Sequence, residues 1–368
     1  MIGFFNRFQG TRTLLVYFTI GVILVQLGSC REIYHPELDL SSDVLVVEAL
    51  FTNEAREHSV VLTRSWQFTQ DPAWKPEPHA IVWISDQLGD SIPLSEKQPG
   101  RYFTQPDVFA QFDRNYTLHI ITAEGDYYRS LHQVLPDSVS LDTVYGRTEF
   151  LPILYDIGNG NQQLDLKVIS LLADISSPFG ERVRVRFENE LMLMWQIRQG
   201  PMEDIQRFYH WLSRDITPYM RVRTGQQDIN TSALIQQQFA FFPFSRLYLR
   251  IFGFPDELEF NSGRIIKTRL YALNADAAEF YELKEKQLQA EGQLFDPAYI
   301  ELLGNIRHVD GTKRVLGFFE VSHATRFSFQ VRIPSANHID PYVKSIDDLS
   351  DIPSSGFYHN EVPPFWTF

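Results

Sequence analysis

A single cysteine in 368 residues forbids any intrachain disulfide and any cysteine metal site, so packing and hydrogen bonding must hold this chain together. That cysteine is Cys30, directly after Leu27, Gly28 and Ser29. Arg7 and Arg12 precede a mostly apolar run from Thr13 to Leu27, too short and wrongly flanked for a membrane span. The order of positive residues, apolar run, small residues and cysteine reads as a bacterial lipoprotein signal. Leu27, Gly28 and Ser29 would be the peptidase recognition residues, and the Cys30 thiol the site of lipid attachment. Several acyl chains, a diacylglycerol and an amide-linked palmitate, on one residue give stable anchoring to a bilayer. The expected location is the cell envelope, held by the lipid.

Cleavage before Cys30 removes two arginines and no acids. It leaves 31 Lys and Arg against 46 Asp and Glu, a formal charge of −15. So acidic a chain argues against nucleic acid as a partner and against electrostatic binding to anionic lipid. Aromatic residues make up 14% of the sequence, 29 of them Phe, which favours pleated, half-buried surfaces and a mainly β fold.

The chain reads as a signal peptide over 1–29, a polar tether over 30–40, an immunoglobulin-like β-sandwich over 41–136, a larger β-rich domain over 137–335 with one or two helical insertions, and an irregular tail over 336–368. The first domain rests on short strands: Val44 to Phe51, the alternating His58 to Phe68, Ala80 to Ile84, and a hairpin around Glu124-Gly125-Asp126. In the second, Arg182 to Phe187 alternates and Leu191 to Ile197 is apolar on both faces. Leu247 to Phe254 and Ile265 to Leu273 also read as strands. Helical spacing of Ile205, Phe208 and Leu212 after Gly200-Pro201 predicts a helix. Asp276 with Glu279 predicts the start of another, ending at Gly292. Leu316 to Val321 and Arg326 to Ile333 read as a hairpin.

Motifs for zinc hydrolysis, serine hydrolysis, phosphate loops and dinucleotide binding are missing from the sequence. The expectation is a non-enzymatic protein with no cofactor and no metal. Asp347, Asp348 and Asp351 lack the ligand alternation and turn glycine of a calcium loop, and His119 reads as a satisfied strand histidine. The candidate contacts to a ligand or partner are Arg182, Arg184 and Arg186, a possible guanidinium row, Trp74 in a Pro-rich loop, and Trp366 in the terminal Pro-Pro-Phe-Trp. Solvated or internally packed roles compete with each. Trp66 and Trp83 read as core.

Several blocks stand in a telling order. They are V-L-V-V-E-A-L-F-T-N (Val44 to Asn53), A-I-V-W-I-S-D-Q-L-G-D (Ala80 to Asp90), Y-T-L-H-I-I-T-A-E-G-D-Y-Y-R-S (Tyr116 to Ser130), G-N-I (Gly304 to Ile306) and V-L-G-F-F-E-V-S (Val315 to Ser322). Their order resembles the Bacteroidota outer-membrane lipoproteins grouped as domain-of-unknown-function family 4249. The resemblance is closest over the first domain and 270–333. It implies an envelope lipoprotein with an N-terminal immunoglobulin-like domain, an accessory or ligand-binding partner of a TonB-dependent transporter. It carries over no catalytic residues. The alternatives are a surface glycan- or peptide-degrading hydrolase, whose two carboxylates need no local motif, and a structural or adhesive surface protein.

Overall fold

The computed structural model describes residues 44–65, 75–156, 161–201, 205–217, 232–245, 249, 253–255, 260–288, 302, 304–333 and 341–366. The Leu27–Cys30 signal, Trp66, Trp74 and most of the 247–254 strand expectation lie outside them. Contacts divide the chain into two units, Met1–Ser42 and Asp43–Phe368, the second carrying every described strand.

The chain is mainly β, as composition implies. Nine strands come first: β1 (Leu45–Thr52), β2 (Ser59–Arg64), β3 (Lys75–Pro76), β4 (Ile81–Asp86), β5 (Ser91–Gln98), β6 (Arg101–Phe103), β7 (Asn115–Ile121), β8 (Tyr127–Ser130) and β9 (Gln133–Val134). Six longer ones follow: β10 (Ser140–Asp156), β11 (Asn161–Ser176), β12 (Val185–Gln199), β13 (Gln206–Asp215), β14 (Ala233–Pro243) and β15 (Phe260–Ala272). Then come helix α1 (Ala275–Leu288), β16 (Ile306–His308), β17 (Val315–Arg332), β18 (Tyr342–Ile346) and β19 (Ser355–His359). No described helix is long and apolar enough to cross a membrane.

One sheet runs β16-β8-β7-β4-β5-β6-β2-β1-β17-β15-β12-β13-β19, with β3, β9 and β18 added at its sides. Strand β5 pairs with β4 through its first half and with β6 through its second, so the sheet folds over one core. That core takes Val47, Phe51 and Leu62 from one layer and Ile84, Leu118, Ile120 and Tyr128 from the other. Ile306, Phe319 and Val321, far along the chain, complete it. The arrangement is consistent with the expected sandwich and adds two late segments to it. A second sheet, β10-β11-β14, lies over β12, β15 and β17, enclosing Ile169, Leu171, Leu193, Phe242, Ile266 and Phe329.

Strand β17 replaces the expected hairpin. Residues 315–322 pair in parallel with β1, and 323–332 pair antiparallel with β15. Ser322-His323-Ala324-Thr325 contains none of Gly, Pro, Asn or Asp, the strongest turn formers, and the strand runs through it. Strand β13 replaces the expected helix over 205–212. Phe208, His210 and Leu212 line one face while Tyr209, Trp211 and Ser213 line the other, and the run pairs residue by residue with β12. Its aromatic residues suit a strand, and cross-strand packing overrides the helical spacing. Helix α1 does form, but its cap is Asn274 rather than Asp276: the Asn274 Oδ1 accepts from the N–H of Ala277 at 2.8 Å. The expected irregular tail contributes β18 and β19.

Two glycines make the β1–β17 junction possible. Gly317 has φ +104°, and a Cβ there would sit 1.9 Å from the Val47 carbonyl oxygen. A Cβ on Gly304 would sit 1.4 Å from the Gly317 oxygen. Asn305 then clips the chain to β17, donating to the Phe319 carbonyl and accepting from its N–H, both at 2.8 Å. Gly317→Ala is expected to cost about 3 kcal/mol through left-handed strain and backbone clash. Denaturant unfolding reads this directly, and a change under 0.5 kcal/mol would contradict the packing described.

Candidate functional site

The expected row of three arginines does not form. Only Arg186 lies on β12; Arg182 is exposed and Arg184 half-buried in the irregular lead-in. Arg186 is buried and already bound. Its Nε and Nη2 donate to the Glu320 carboxylate at 3.0–3.1 Å, and Nη1 donates to Glu188 Oε1 at 2.8 Å. The guanidinium stacks over the Tyr271 ring at 3.8 Å. Tyr281 and Ser322 hydroxyls donate to Glu320, and Tyr271 donates to Glu188. Burial opposes the Arg186 charge, but Glu320 and then Tyr281 and Glu188 overcome that, so the group is held charged well above its ordinary value. Burial likewise pushes the Tyr281 hydroxyl up, which keeps it a donor. This cluster joins β12, β15, β17 and α1, and is a structural knot rather than a ligand site. Glu320→Gln leaves the buried Arg186 with only the part-exposed Glu188 as counter-charge and is expected to cost about 3 kcal/mol. A paired Arg186→Met, Glu320→Leu chain should recover part of that loss in the same unfolding assay.

A second constellation lies on the outer face of β4, β7 and β8. His119 stacks on Trp83 with centroids 4.7 Å apart and planes 4° from parallel, and Tyr127 continues the stack at 6.1 Å from His119. The Ser85 Oγ lies 2.8 Å from His119 Nε2, and the Tyr127 hydroxyl 2.8 Å from Nδ1. Hydroxyl, imidazole and orienting phenol have the spacing of a nucleophile and its base. Two facts work against acyl transfer. Ser85 pairs with both β5 and β7, so its main chain is committed on both sides and offers no oxyanion donor. Burial, then Arg129 and His132, lower the His119 pKa, weakening it as a base. His119 is thus the satisfied strand histidine that the sequence implies, and Trp83 is half-buried in its stack.

An open hollow of about 170 Å³ lies between β4, β5 and the 107–116 loop, lined by Asp86, Asp90, Asp107, Phe109, Arg114 and Tyr116. Three of its charges answer one another: Arg114 donates to both Asp86 and Asp90. Beneath the loop sits His58, whose Nε2 faces the carbonyl oxygens of Glu54 and Val108, both at 3.1 Å, and must therefore carry the proton. Its Nδ1 is buried without a hydrogen-bond partner. Burial, then Arg56, lower the His58 pKa from 6.5 to about 4. The unfolded chain thus binds this proton more readily between pH 6.5 and 4. The stability from neutral His58 is complete above pH 6.5 and falls as pH drops through that window, by up to about 3 kcal/mol. Urea midpoints measured across that range should decline with acidification, and His58→Gln should flatten the decline.

An aromatic surface surrounds β19, the last strand of the sheet. Trp195, His210 and Phe357 form one cross-strand row over β12, β13 and β19, and Phe208 with His359 begins a second. Trp195 and His210 centroids lie 5.4 Å apart, and Phe208 and His359 4.7 Å. Phe357 is 63% exposed and Tyr358 39%. On the opposite face, Met194, Tyr209, Trp211 and Trp366 form a closed cluster. Trp366, expected as a docking residue, is thus buried against its own sheet. Asp347, Asp348 and Asp351 are exposed, and no group of metal-ligating side chains occurs among the described residues. The β19 surface escapes sequence reading because its rows draw on three distant segments. The alternation in Phe208-Tyr209-His210-Trp211-Leu212 was the available signal.

The model of the family described as Domain of unknown function (DUF4249) matches residues 31–328, and the chain belongs to that family. Searches of curated proteins and of solved structures found no match.

Proposed function

We propose that this member of the DUF4249 family is a non-enzymatic lipoprotein of the outer membrane, anchored through acylated Cys30, that serves as an accessory or ligand-binding partner of a TonB-dependent transporter. The observation that carries the binding role is the β19 edge. A terminal strand presents open main-chain donors and acceptors, and natural sheets usually blunt such edges with charge or proline. Ser355-Gly356-Phe357-Tyr358-His359 has neither, and its large rings are exposed. Aromatic anchors with few rotamers are what a partner surface uses. The lipid anchor supports the same reading from the sequence side, since confinement to a membrane raises effective concentration near a membrane partner.

The expected result is that Phe357→Ser lowers recovery of the co-purified partner by about tenfold while leaving the unfolding midpoint nearly unchanged. Equal recovery from both chains would remove β19 from the interface. A hydrolase is the second reading, favoured only by the Ser85–His119 contact. Labelling by a serine-reactive fluorophosphonate that Ser85→Ala abolishes would establish it in place of the binding role.

A further inference from the structure

Strands β5, β4, β7, β8 and β16 turn one face away from the core, and the registers place its side chains in rows. One row is Pro93, Trp83, His119, Arg129 and Arg307, one residue from each strand. Beside it run Ile81, Ile121 and Tyr127. Val309 ends that second row, its N–H bonded to the Tyr127 carbonyl at 2.9 Å. Ile81, Val309 and the neighbouring Leu131 are 64%, 49% and 51% exposed.

Arg129 and Arg307 are direct antiparallel partners, and both are exposed. Like charges placed opposite each other on a sheet destabilise it. Arg307 Nη1 donates to the carbonyls of Gly304 and Ile306, and among the described residues no carboxylate pairs with either arginine. In a chain of formal charge −13, two adjacent unneutralised guanidinium groups mark a place for an external anion. The nearest acids stand at the rim: Glu124 and Asp310 in turns, and Asp126 bound to Lys313. Screening over roughly 8 Å at physiological salt leaves the local face, not the net charge, to decide what approaches.

We propose that this face lies on an anionic phospholipid surface. Its composition matches an interface in three ways. Arginines suit phosphates, Trp83 and Tyr127 suit the headgroup level, and exposed Ile81, Leu131 and Val309 suit the acyl boundary. Its place in the fold agrees. The described chain enters at Val44, and Leu45 pairs with Val315. Lys313, two residues earlier, pairs with Asp126, the neighbour of Tyr127. Val44, where the described chain begins, therefore lies toward the Tyr127–Val309 end of this face. The inference rests on the lipoprotein reading for the nearness of a bilayer, and on its own residues for the contact.

The test is flotation of residues 31–368, which lack the acylated cysteine and keep every described strand, with phosphatidylethanolamine–phosphatidylglycerol vesicles. Binding should exceed that to phosphatidylcholine vesicles. Arg129→Gln with Arg307→Gln should lower it about 25-fold, and Ile81→Ser with Val309→Ser should lower it independently. Equal binding to neutral vesicles, or full binding by the arginine double variant, would overturn the proposal. So would arginine-dependent binding of a soluble acidic polysaccharide in place of vesicles. Because no acyl chain is present, failure here leaves the Cys30 anchor untouched, while an unacylated Cys30 in the native protein would overturn the anchor alone.

Discussion

Hydrogen bonding along β17 holds the two halves of this molecule in one sheet. Its first eight residues close the N-terminal core against β1, and its remaining ten pair with β15 over the second core. A parallel contact between residues some 270 positions apart brings a large loop-closure cost, which local packing must repay. Gly317 and Gly304 allow the close backbone approach, Asn305 satisfies the buried main-chain groups of Phe319, and Ile306 carries the chain into the first core. The short G-N-I and V-L-G-F-F-E-V-S blocks thus have one physical purpose between them.

The same strand presents Glu320 to Arg186, and through it α1 is tied to the sheet. Charged groups that sequence alone would offer to a ligand are consumed in this way: Arg186 by Glu320 and Glu188, Arg114 by Asp86 and Asp90. Among the outward residues the β19 aromatics and the paired Arg129 and Arg307 are not consumed in this way.

The sequence made the β class legible because alternation survives in short runs such as Ser59–Arg64, and because so many residues are aromatic. Pattern reading failed where two periods overlap. Ile205, Phe208 and Leu212 satisfy helical spacing, yet Phe208, His210 and Leu212 satisfy a strand equally, and only pairing with β12 decides. It failed again at 322–325, where the apparent gap between two apolar runs is simply the change of partner along one strand. The arginine row failed for a related reason: Arg182, Arg184 and Arg186 alternate, but the strand begins only at Val185. Both surface rows draw residues from three to five strands, so no local window contains them.

We propose that this chain works by binding a partner at the outer membrane. The most direct test is cross-linked affinity purification of the tagged, full-length protein from its native membrane, with the linked residues read by mass spectrometry. The expected result is a TonB-dependent transporter, joined through the β19 region. Recovery of the protein alone, with links only within its own chain, would contradict it.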